Sequence, residues 1–194
     1  MEKVFVEKQE KNFWKWIDRA RKEGENATET IEELVAILSD KSEEELLAFE
    51  INLRQYLKSL NHLSILELGI ILDSHFEKSG IRFIFKSKMN TDKFLYFRCW
   101  VVLQGKEVFD VVQKDIQKIV DYDVEIAQLK ASALLFATTN AFTDDDEDTT
   151  FQKAAIKYSK TLNYDLDEIV PDEGLDLANL DLKYKDLVQA VVAL

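Results

Sequence analysis

The chain has one cysteine, one proline, five glycines and two histidines among its 194 residues. The lone thiol, Cys99, excludes an internal disulfide framework and a cysteine cluster for a metal, and it suits a reducing cytoplasm. Glycine and proline together make up about 3% of the chain, against about 12% in average proteins. A sheet fold rich in tight turns is therefore not expected, and long helices joined by short polar links fit better. His62 and His75 form no metal-ligand spacing such as His-Glu-x-x-His. No two glycines are close enough to cradle a phosphate, and Ser64, Ser74 and Ser79 lack a Gly-x-Ser-x-Gly elbow. No metal, cofactor or catalytic constellation is expected. The start, "MEKVFVEKQEKNFWKW", lacks the apolar core of a signal peptide, and no run approaches the roughly 20 apolar residues of a membrane span. The expectation is a cytoplasmic protein that does not enter a membrane.

Acids outnumber bases, 37 to 25, for a formal net charge of −12. That excess repels nucleic acid and anionic lipid unless a local basic patch intervenes, and none is read from the sequence. An acidic field instead speeds association with a basic protein partner. Hydrophobic residues make up 46% of the chain, with twelve Phe, six Tyr and three Trp, enough for one large domain that buries roughly 70% of its unfolded surface.

Apolar periodicity places the elements. Asn12 is a candidate cap for a helix with Phe13, Trp16, Ile17 and Ala20 on its inner face and Gly24 at its end. Thr30 with Glu33, and Ser42 with Glu45, read as capping boxes that open the second and third helices. In the third, Glu50 and Arg54 stand four apart in the favourable order. "HLSILELGIILDSHF" reads as a buried helix, and "GIRFIFKSKMNT" alternates over a length that suits a short strand or a loop. Asp92 is the expected cap of a helix from Lys93 to Gln104, stopped by Gly105, and a short amphipathic piece, "KEVFDVVQKD", follows. "DVEIAQLKASALLFATTNAF" reads as one long alanine-rich helix. The acidic run "TDDDEDTT" is an exposed loop, since its contiguous acids and missing glycine do not fit a calcium loop. "FQKAAIKYSKTL" is a helix, "VPDEG" a turn, and "LKYKDLVQAVVAL" a terminal helix. The fold class expected is all-α, a single domain over residues 1–194 built as a bundle of about seven to nine helices, with room for one short extended segment near 81–86.

The residues Phe94, Phe97, Arg98, Trp100, Val101, Val102, Gln104 and Gly105 resemble the hallmark Phe-x-x-Phe-Arg-x-Trp, two aliphatics, x, polar, Gly of a bacterial family catalogued as domain of unknown function 4240. Asn90, Thr91 and Asp92 stand where that family has Ser-Asp-Asp, Lys106 and Phe109 match its next basic and aromatic positions, and Phe13, Trp14 and Ile17 resemble its opening. The likeness covers about residues 12–120 and thins toward 194, with "GIRFIFKSKMN" as an insertion. It implies the domain and carries no chemistry with it.

At 100° per residue the apolar side chains from Phe94 to Leu103 leave no wide polar face, so this helix belongs in the centre. Arg98 then needs a carboxylate, backbone carbonyls or a bound anion, because a buried guanidinium keeps its proton. Glu67, on an equally apolar helix, is the expected partner, with Glu50, Asp73 and Asp92 as reserves. A structural ion pair is favoured over a ligand site. Should a site exist, its residues are Arg98, Glu67, Asp92, Trp100 and Gln104. Two functions follow: a non-enzymatic module that binds a basic protein, regulatory or immunity-type, or a small-anion pocket or enzyme built on Arg98.

Overall fold

Asn26 turns the chain after the first helix by placing its side-chain oxygen 3.0 Å from the amide of Thr28 and 3.1 Å from that of Glu29. The first helix, α1, spans Glu2–Glu23, and the second, α2, spans Ala27–Ser39. Both starts differ from the sequence expectation. Asn12 lies inside α1, and Thr30 points inward at 6% exposure, so neither caps. Gly24 is required where the two helices meet, because a Cβ there would stand 2.4 Å from the backbone nitrogen of Thr30. The computed structural model describes residues 2–86, 89–124, 129, 131–142 and 175–193, with side chains from Glu10 onward. The acidic run, the helix expected at 151–162 and the turn at Pro171 lie outside these residues.

α3, Glu43–Ser59, opens on the expected capping box, with Ser42 and Glu45 exchanging bonds. α4, Leu63–Leu72, is buried on nearly every side. It stops sooner than its apolar run implied, because Ser74 adopts φ 53° and reverses the chain. That left-handed turn feeds a two-stranded antiparallel hairpin, β1 Phe76–Ser79 and β2 Arg82–Phe85, in the register Phe76 with Phe85 and Ser79 with Arg82. The ambiguous segment is thus the second strand of a hairpin. α5, Thr91–Leu103, is capped by Asn90, whose side chain accepts from Lys93 N at 2.9 Å, while Asp92 sits exposed in the first turn. α6, Gly105–Lys114, follows directly.

The long helix expected at 123–142 is not continuous. Ala131 has φ −133° and ψ 45°, so a 3-10 turn at Ser132–Phe136 and a short helix, α7, Ala137–Ala141, stand in its place. The terminal helix is likewise split. α8 covers Leu180–Lys183 and α9 covers Lys185–Val192, with Tyr184 at φ −127° and ψ 51° between them.

The result is a mostly helical single domain with one small sheet. α1 packs against α2, α3 and α6, and α5 lies among α2, α3, α4 and α6. An aromatic cluster ties the first group: Phe13 lies 4.6 Å from Phe49 between ring centres, and Trp14, Tyr56 and Phe109 meet at 4.7–5.1 Å. Such contacts contribute about 0.5–1.5 kcal/mol each beyond the area they bury. Along α5, Phe94, Leu95 and every residue from Phe97 to Leu103 are buried, so the motif helix is the middle of the core.

Candidate functional site

Arg98 is fully buried. Its Nη1 donates to the carbonyl of Leu57 at 3.1 Å, and its guanidinium carbon stands 4.9 Å from the centre of the Phe94 ring. The Leu57 carbonyl belongs to the last turn of α3, where a helix leaves its carbonyls without intrahelical donors and carries negative dipole charge. The rest of that turn is also accounted for. Leu60 N bonds Tyr56 O, Asn61 N bonds Lys58 O, and Gln113 Nε2 reaches Ser59 O at 3.0 Å. Of the three kinds of partner open to Arg98, a backbone carbonyl is thus in place.

Glu67 is not the partner of Arg98. Its carboxylate, 2% exposed as a residue, accepts from Lys183 Nζ at 2.7 Å on each oxygen and from the Tyr184 hydroxyl at 2.6 Å. Burial and the facing Glu67 carboxylate raise the Tyr184 hydroxyl above its usual range, so it stays a proton donor. The break between α8 and α9 is what brings Tyr184 there. The reserve acids are engaged elsewhere too. Glu50 holds Arg54 and accepts from Thr138 Oγ1 at 2.8 Å. Asp73 lies beyond the end of α4 and meets His75 at 3.1 Å, although a continuous helix would have kept the two on different faces.

The five candidate residues do not converge. Asp92 is exposed at one end of α5, and Gln104 closes the other, about 18 Å away at 1.5 Å per residue. Trp100, stacked on Phe97 at 5.5 Å and 18°, and Gln104, which donates to Trp100 O at 3.3 Å, border a polar cleft of about 390 Å3 with Arg21, Asn26 and Asp123. Arg98 does not line that cleft. Gly105, beside it, has φ 85°, and a Cβ there would stand 2.6 Å from Asp18 Oδ1 and 2.7 Å from Arg21 Nη1. The motif's glycine therefore serves both the backbone turn and the approach of α1.

The hairpin carries a contact that sequence reasoning missed. Arg82 grips Asp181 through Nε at 2.6 Å and Nη2 at 2.7 Å, and Phe83 N donates to the same carboxylate at 2.9 Å. The Arg82 guanidinium holds the Asp181 carboxyl down at about 2. No local signal marks a pairing across this separation. Cys99 is sealed in α5, where burial pushes its thiol up to about 12, far from the thiolate a nucleophile needs. Among the described residues no group of three or more His, Cys, Asp or Glu could hold a metal, and no helix is long and apolar enough to cross a membrane.

A larger groove lies on the outer face of α1. Its 690 Å3 are bordered by Lys11, Lys15, Arg19, Lys22 and Lys106, with Trp14 beneath and the carboxylates of Glu10 and Asp18 interspersed. A basic patch, not expected from the sequence, is therefore present on this face. The signal was present as lysines four and seven positions apart on one helix, hidden by the acidity of the whole.

No curated protein and no solved structure matches the chain. The sequence profile of a family described as a protein of unknown function (DUF4240) matches residues 9–144. That span holds the motif helix, the glycine after it and the opening Phe13, Trp14 and Ile17, and the chain belongs to this family.

Proposed function

We propose that this protein is a non-enzymatic binding module of the bacterial cytoplasm, regulatory or immunity-type, that docks a basic protein on the face formed by α2 and the first turn of α3. One observation carries the reading. From Glu23 to Glu45 the chain has nine acids against the single cation Lys41, and all of the acids except Glu45 are exposed. Two of the nine, Glu29 and Glu45, also serve the helix starts. The others are available to a partner, and a field of one sign steers an oppositely charged protein before contact. The burial of Arg98 favours this reading over an anion site built on that residue. The test is affinity capture on the intact protein beside Glu32→Lys/Glu33→Lys/Asp40→Lys, followed by titration with the captured partner in pure form. A basic partner that binds the wild type saturably and the variant at least tenfold more weakly is expected. Equal binding to both contradicts the reading.

A further inference from the structure

The groove on α1 breaks the charge pattern of the molecule. The whole chain carries a net −12, yet five cations border this groove against two carboxylates. Other cations do have acidic partners: Lys106, on the rim of the groove itself, meets Asp110 at 3.0 Å, Lys183 meets Glu67 at 2.7 Å, and Arg82 is held by Asp181. Among the described residues, Lys11, Lys15, Arg19 and Lys22 make no ion pair and no side-chain hydrogen bond. In a chain with acids to spare, four neighbouring cations without partners stand ready for an anion supplied from outside.

Their spacing describes that anion. Lys11, Lys15 and Lys22 are offset by four and eleven residues, which puts them within about 40° of each other around the helix and along about 16 Å of its length. Arg19 widens the ribbon on one side. The floor is apolar, with the Trp14 indole under Lys106 Nζ at 5.8 Å and lysine stems alongside. A nucleic-acid backbone fits poorly, because Glu10 and Asp18 interrupt the ribbon and the whole molecule repels a long polyanion. A second copy of the chain brings a further −12 with it. A short segment whose acids recur at helical spacing beside an apolar side chain matches both the ribbon and the floor.

We propose that the α1 groove binds an acidic amphipathic helix of a partner protein, independently of the α2 face. The probe is a 14-residue helical peptide with glutamates at offsets of four and eleven and a leucine between them, with glutamine in place of glutamate in the control. Titration into the full chain at low salt is expected to saturate, followed by tryptophan fluorescence. Lys15→Ala/Arg19→Ala/Lys22→Ala changes only exposed side chains without partners, and its fold is checked by circular dichroism. It is expected to weaken binding at least tenfold, as is the glutamine control, and raised salt weakens binding through screening. Absence of saturation, equal binding of the control peptide or an undiminished variant overturns the proposal. So does displacement of the peptide by a short RNA duplex that binds more tightly, which assigns the groove to nucleic acid. Self-association of the wild type that the variant abolishes also overturns it and assigns the groove to a second copy.

Discussion

Arg98 and Lys15 are cations on two helices that share one core, and they are used in opposite ways. Arg98 is fully buried, with a backbone carbonyl of α3 on its Nη1 and an aromatic face beneath it. Lys15 borders an open groove and has no partner among the described residues. A charge taken out of water must be satisfied on the spot, so its interactions serve the fold. A charge left in water contributes little to stability and stays available for binding. The family motif marks the first kind, and the two outer faces carry the second.

The largest effect that could break this comparison is at the motif itself. Arg98→Ala is expected to cost about 3–4 kcal/mol in urea unfolding, a cavity plus the unpaired Leu57 carbonyl. An unchanged midpoint would return Arg98 to the ranks of ligand residues. Glu67→Ala, measured in the same way, is expected to cost about 2–3 kcal/mol, because it strands the Tyr184 hydroxyl and removes a charged acceptor. Gly105→Ala is expected to cost about 1–2 kcal/mol through the left-handed backbone, with Asp18 and Arg21 free to swing aside. Asp181→Asn sharpens the contrast through pH. A carboxyl lowered from the usual 3.8 to about 2 stabilises the fold fully above its unfolded value and loses that contribution as pH falls from about 4 toward 2. The variant, already weaker at neutral pH, is expected to lose less over that acid range, and parallel curves for the two proteins would contradict the clamp. Smallest of all, Glu32→Lys/Glu33→Lys/Asp40→Lys is expected to stay within about 0.5 kcal/mol of the wild type.

Local patterns in the sequence carried much of the helical outline. Ser42 with Glu45 opens α3 as read, the Glu50 and Arg54 pair forms, and the apolar wheel from Phe94 to Leu103 places α5 in the middle. The errors have physical causes. Asn26 outcompeted Thr30 as a cap because Thr30 is turned into the core. α4 ends early at a left-handed serine, which no apolar count reveals. The terminal helix breaks at Tyr184, whose hydroxyl bonds to Glu67 in place of a regular helix geometry. Backbone carbonyls were among the partners open to Arg98, but Glu67 was the one expected, and only three-dimensional packing shows that Glu67 serves Lys183 and Tyr184 while the α3 terminus brings the Leu57 carbonyl to Arg98. Arg82 with Asp181, and Glu67 with Lys183, join segments about a hundred residues apart, and neither leaves a local trace. The α1 ribbon, in contrast, was readable from spacing alone.

Hydrogen exchange on the complex with the captured basic partner tests the division between inner and outer charge most directly. Added protection confined to residues 27–45, with α5 and the cleft beside Trp100 and Gln104 unchanged, is the predicted result. Protection centred on α5 and that cleft, with residues 27–45 exchanging as in the free protein, would contradict the account.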